Sequence, residues 1–365
     1  MSLHTSEKSA VPQTATGTIT PAAFQELMAS RSQALLRSVH LFLDCGATQR
    51  AMNRPLLAEL YSQSAQVEEM LDAYGARNTR QWYPFRSLVA TIKRFSAAGY
   101  ELLHIRHVLP SYHLLPIEED FPAATYEVLH FTGEVIRSTG ERLIEQAREL
   151  EMPLPIAVPS YCTYSEDLPS GRLPADRGRR KIGTVGGNVT HLATAFLNLA
   201  AQSEVLHAPS HTQPERYASL VPEPVSEEHI RDLQYQFHSL QSVYDTYVAG
   251  TELELADDDL PVLRGHISVV FHLLTTAVAF AHYYERHVVP RLEDDQQTLV
   301  PPDDLLRTLL EYSIAFGGRY VDAARKLCQE MLQRYAEVGE VEVPVPRYRG
   351  FHVRPSTLVA KIVMH

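Results

Sequence analysis

From Pro21 onward the apolar residues recur at every third or fourth position, and the segments patterned in this way are separated by Gly, Pro and Asn. That is the period of one face of an α-helix and not the two-residue alternation of a strand. The pattern predicts helices over about 21–44, 50–74, 80–108, 120–150, 188–206, 226–249, 260–288 and 303–338. Start signals agree with several of these: Asp120 stands before Phe121 and Pro122, and Pro301, Pro302 and Asp303 open the last long segment. A carboxylate there accepts the unpaired N–H groups of a first turn, and proline loses nothing where its N–H would have no helical partner. Gly46, Gly75 and Pro290 are the corresponding stops.

Two stretches leave the pattern. Residues 152–187 are rich in Pro and Gly and carry Arg177, Arg179, Arg180 and Lys181, which reads as a crossover loop or a linker that would split the helical body into two subdomains. Its glycines and positive charge ahead of a helix could cradle a phosphate, but it lacks the Gly-Lys-Ser/Thr ending of a P-loop. A solvated loop able to dock an acidic partner, or the chain's own Asp257–Asp259 run, is the plainer expectation. In the second stretch, Val341, Val343 and Val345 alternate with Glu342, Pro344 and Pro346, which predicts a short edge strand, since proline is tolerated only at a sheet's edge. With a polar Ser/Thr-rich leader over 1–20, the expected organisation is leader, all-helical domain 21–338, and a distinct segment 341–365.

The chain has 365 residues, and 45% hydrophobic content supplies a sizeable core. A net charge of −11 argues against nucleic-acid binding, which needs a basic surface to displace counterions. Cys45, Cys162 and Cys328 are an odd set without Cys-x-x-Cys spacing, so neither a disulfide framework nor a cysteine zinc site is indicated, and a reducing cytoplasm fits. The longest apolar stretch, Ile267–Phe280, is broken by His272, Thr275 and Thr276 and reads as too short and polar to span a bilayer, so no membrane insertion is expected.

The segment that carries chemistry follows the expected strand: Gly350, Phe351, His352, Val353, Arg354, Pro355 and Ser356, then the apolar stripe of Leu358 with Ile362 and Val359 with Val363. Pro355 suits a first helical position, which places His352 just ahead of a helix N-terminus. Unpaired N–H groups and the positive end of the helix dipole favour an anion there, and Arg354 adds a cation. A neutral imidazole is a competent nucleophile toward an activated phosphoryl group.

This order of strand, Gly-x-His-x-Arg-Pro and helix resembles the active-site segment of the histidine-containing phosphocarrier protein, HPr, of the phosphoenolpyruvate-dependent sugar phosphotransferase system. The resemblance covers about 341–365. It implies that His352 is the phosphoacceptor, that Arg354 contacts the phosphoryl group, that Pro355 starts the first helix and that Gly350 is the turn glycine. It also implies an α/β open-faced sandwich of four strands and three helices, of which only the first strand and part of the first helix fall before His365, so a truncated copy is expected. Val353 and Ser356 stand where the family usually carries small residues, mostly alanine.

Three Glu-x-x-His pairs, Glu101 with His104, Glu127 with His130 and Glu204 with His207, would each share a helical face as in di-iron bundles. Chance alone gives roughly one or two such pairs in a chain this rich in both residues, so rim or surface pairs are the plainer expectation and no metal is assigned. His282, Glu285 and His287 could join such a site. Trp82, Tyr83, Phe85, Tyr100 and Tyr112 are interleaved with Arg86, Lys93, Arg94, Arg106 and His107, a mixture that could line a cleft, although aromatics at helical spacing usually form core.

The resulting expectation is a mainly α protein, a large multi-helix bundle with a partial HPr-like segment, acting as a phosphocarrier-linked regulator or adaptor more than as an independent catalyst. No cofactor is expected; the partners would be an upstream phosphohistidine-bearing phosphotransferase enzyme and a protein bound by the helical body. The alternatives are a metal-dependent helical enzyme built on the Glu-x-x-His pairs and a helical scaffold with a vestigial HPr motif.

Overall fold

The structure, a computed structural model, describes residues 17–45, 51–155, 173, 185–294 and 296–335. Among them there is no strand, and the protein is mainly helical. The helices are α1 (Pro21–Arg31), α2 (Gln33–Asp44), α3 (Arg54–Ala73), α4 (Tyr83–Val108), α5 (Phe121–Glu149), α6 (Val185–Gln202), α7 (Glu227–Tyr247), α8 (Glu252–Ala256), α9 (Asp259–Tyr283), α10 (Val289–Glu293), α11 (Pro302–Arg307) and α12 (Ala315–Tyr335). The alternating stretch 341–346 and the HPr-like residues lie outside the described residues, as do 1–16 of the leader and most of the 152–187 loop.

Cap chemistry accounts for where the helices begin. Thr20, Asn53, Asp120 and Ser226 each accept a first-turn backbone N–H, that of Leu56 on Asn53 at 2.9 Å and that of Ala123 on Asp120 at 3.0 Å. Proline stands in the first turn of α1, α3, α4 and α5.

Two sequence expectations change. The segment 21–44 is interrupted at Ser32, between α1 and α2. Pro290 does not stop its helix: α9 widens into a π turn over Tyr284–Val288 and resumes as α10, in whose first turn Pro290 sits, so its missing N–H leaves no helical bond unmade. A second π turn, Thr308–Ile314, joins α11 to α12. The continuous run Asp259–Glu293 therefore spans 35 residues, long and apolar enough by composition to cross a membrane, unlike the short stretch read from the sequence. Protein buries 72% of its most apolar window, which is what the central helix of a bundle requires.

α4 packs on α3, α5 and α9, while α9 also packs on α7 and α12, and α12 covers α6. One continuous buried cluster runs from Phe24 to Met331, so helices before and after the 152–187 stretch share a core. Hydroxyl pairs cross it: Thr91 with Tyr283 at 2.9 Å, and Thr125 with Tyr312 at 3.0 Å. The chain leaving α4 lies directly on α9, because a Cβ at Gly265 would come within 2.0 Å of the Tyr112 carbonyl oxygen. Beside it the fully buried His266 accepts the Leu115 N–H at Nε2 (3.0 Å), and its Nδ1 meets the Tyr320 carbonyl (2.9 Å). A carbonyl only accepts, so the Nδ1–H donates and the ring is a neutral clamp between three segments.

Candidate functional site

The main concentration of titratable groups within the bundle lies where α3, α4, the start of α7 and the end of α9 meet. On α3, Tyr61, Glu68 and Asp72 share a face through spacings of seven and four, and α4 presents Arg86, Lys93 and Arg94 at matching helical intervals. The start of α7 contributes Glu227 and, one turn on, Arg231; the last turn of α9 and the π turn after it contribute His282, Glu285 and His287.

Its floor is an ion-pair network. Arg86, whose side chain is 6% exposed, reaches Glu68 at 2.9 Å and grips Asp72 through Nε and Nη2, both at 2.9 Å. Lys93 shares Glu68, and Arg77 shares Asp72 from the exposed side. Burial opposes ionisation of Asp72, but the Arg86 and Arg77 guanidiniums outweigh it and hold the carboxyl below its ordinary range. A guanidinium this buried is tolerable only with such a set of acceptors.

Above the floor runs a second chain. Arg94 Nη2 lies 2.9 Å from His282 Nε2, and His282 Nδ1 lies 2.9 Å from Glu227 Oε2. Arginine has no acceptor, so the ring accepts at Nε2 and donates its Nδ1 proton to Glu227, which makes His282 a neutral imidazole of fixed tautomer. Burial, then the Arg94 charge, push it down to about 4, against the pull of Glu227. Glu227 also pairs with Arg231, and its backbone N–H donates to Glu285 at 2.7 Å, so a carboxylate caps the start of α7. His287 stacks on Tyr283 with ring centres 5.1 Å apart, 6.1 Å from the His282 ring; burial, followed by the charges of Arg86, His282 and Arg94, pushes it down to about 3. Lys93, half-buried beside Arg94, is pushed down to about 8.

The cluster joins two sets of residues that stand far apart in the sequence, Arg86, Lys93 and Arg94 of α4 with His282, Glu285 and His287. Trp82 and Phe85 go to the core, as aromatics at helical spacing usually do, and Arg106 and His107 face outward. Sequence reasoning missed Glu68, Asp72, Glu227 and Arg231. The four-residue spacing of Glu68 and Asp72 was a visible signal; Glu227 looks like any acidic residue in a first turn.

The Glu-x-x-His pairs do not converge. Glu101 Oε2 is 2.9 Å from His272 Nδ1, and the His104 ring lies 4.4 Å from that of His272. Glu127 and His130 are exposed on α5, with Glu127 at the edge of a cavity of about 350 Å³ that Arg307, Glu311 and Tyr312 also line. Glu204 is exposed, and His207 lies 3.7 Å from Asp322. Among the described residues no group of three or more His, Cys, Asp or Glu side chains could hold a metal ion, so the di-iron arrangement is not formed there: each pair shares its own helical face, but packing turns the three faces toward different neighbours. His352 and Arg354 lie outside the described residues. Cys328 is buried, and burial pushes its thiol up to about 12, which leaves it inert.

The fold and the cluster together define a class, a helical bundle with a half-buried ionic site and an imidazole locked between a guanidinium and a carboxylate. No protein-family model, curated protein or solved structure matches the chain.

Proposed function

We propose that the protein is a phosphocarrier-linked regulator or adaptor, in which a helical sensor or interaction body is joined to a phosphoacceptor histidine, His352. The observation that carries this reading is the ordered run Gly350, His352, Arg354 and Pro355 after an alternating valine stretch and before an apolar helical stripe. The helical body adds an ionic site to this reading. Its ionic cluster suits binding better than proton transfer, since the His282 acceptor nitrogen is already taken by Arg94.

In the transfer step the neutral His352 imidazole attacks the phosphorus of a phosphohistidine on an upstream enzyme. The new P–N bond forms as the donor's P–N bond breaks, and the donor imidazole departs. Arg354, and the N-terminus of the helix that the sequence pattern predicts from Pro355, would stabilise the charge on the phosphoryl oxygens. The chain is incubated with phosphoenolpyruvate and the general phosphotransferase enzyme, and acid-labile phosphohistidine is scored by intact mass. One acid-labile phosphoryl group, lost in His352→Ala, is expected. No labelling of the chain, or labelling that persists in the variant, overturns the assignment.

A further inference from the structure

We propose that the cluster around Arg94 is a binding site for a small organic oxyanion, a carboxylate or a phosphate monoester, gripped by the guanidinium of Arg94. This rests on reading the helical body as a sensor and is independent of His352.

The first argument is unmatched charge. Arg86 has Glu68 and Asp72, Arg77 has Asp72, Lys93 shares Glu68, and Arg231 has Glu227. Among the described residues Arg94 has no carboxylate within ion-pair distance; its hydrogen-bond partner is a neutral ring. Its Nε is sealed from solvent with no acceptor. A half-buried guanidinium with no carboxylate partner is costly, and an oxyanion on its Nη donors would offset part of that cost. This surplus is felt by its neighbours: burial is the main cause that pushes Lys93, His282 and His287 toward their neutral forms, and the Arg94 charge adds to it in each. It arises in a chain whose net charge is −11, so it is local and not a reflection of composition.

The second argument is preorganisation. Glu227 locks the His282 tautomer, and His282 holds Arg94, so the guanidinium is oriented before any ligand arrives. A planar guanidinium presents paired donors that match carboxylate and phosphate oxygens.

The third argument is the rim. Tyr61, on the same face of α3 as Glu68 and 46% exposed, lies within electrostatic reach of Arg94. An exposed aromatic ring beside this cation suits an anion with a flat organic body better than a bare inorganic ion.

The test is calorimetric titration of the full chain with inorganic phosphate, phenyl phosphate and benzoate, at ionic strength held constant with chloride. Saturable binding of at least one probe is expected, tighter for an aromatic probe than for inorganic phosphate and weakened about tenfold or more in Arg94→Gln. Arg137→Gln, on the exposed face of α5, should bind as the parent does. Binding of phenyl phosphate over benzoate assigns a phosphate ester, and the reverse assigns a carboxylate. No saturable binding of any probe, or undiminished binding in a helical Arg94→Gln protein, overturns the proposal. Should that variant not fold, the ring NMR signals of His282 and His287 in the parent decide: a saturable shift on titration supports the site, and unmoved signals overturn it. Phosphohistidine labelling at His352 reads the other proposal separately.

Discussion

Arg94 Nη2 donates to His282 Nε2 across 2.9 Å, joining residues 188 positions apart and tying the middle of α4 to the last turn of α9. A guanidinium cannot accept, so this one bond determines where the imidazole keeps its proton. A second proton, placed on Nε2, would point at the guanidinium, and the ring would have to swing away from Arg94 to take it.

Acid should therefore destabilise the protein within a definite window. Burial is the first cause that lowers His282 to about 4, His266 to about 4 and His287 to about 3. Their unfolded counterparts titrate near 6.5, so below that pH the unfolded chain binds more protons than the folded one. Stability from these rings is complete above pH 6.5 and falls as the pH drops through 6.5 toward 4. Urea midpoints measured from pH 8 to 4 should decline over that range, and the His282 ring signals should not titrate above pH 5. A His282 titration centred near 6.5 would show that the clamp does not hold in solution.

Gly265→Ala should cost about 1–3 kcal/mol, toward the upper end, because the added methyl meets a backbone carbonyl that has little room to yield. Gly99→Ala should cost less, since its Cβ would meet the side-chain ends of Leu57 at 3.1 Å and Met52 at 3.3 Å, which can turn aside. Denaturant unfolding of the two variants gives the comparison directly.

Ion pairs of similar length should differ by burial. Glu68→Gln removes a carboxylate from Arg86 and Lys93 where the side chain is 8% exposed, and should cost about 3 kcal/mol, moderated by Asp72. Arg137→Gln breaks pairs with Glu134 and Glu141 on the exposed face of α5 and should cost no more than about 0.5 kcal/mol. Equal losses in the two unfolding curves would contradict the burial argument.

Replacing His266 by Ala should cost about 2–4 kcal/mol, since it strands the Leu115 N–H and the Tyr320 carbonyl at a fully buried site. Loss of amide protection at Leu115 before global unfolding would identify the clamp as the origin of the effect.

The helical class and most helix limits were legible in the chain, because apolar spacing, caps such as Asp120 and first-turn prolines act within a turn or two of themselves. The passage of the helix through Pro290 was not legible, because it depends on a π turn that shifts the hydrogen-bond register just before the proline. Nor was the candidate site. Arg94, His282 and Glu227 each look like residues of a solvated helix face, and the Glu-x-x-His spacing looks like a metal motif whether or not its three copies meet. Local pattern determined which residues share a face; tertiary packing decided which faces lost their water and met one another. A charge changes from solvated decoration to an unmatched, oriented donor only when neighbouring helices exclude water around it.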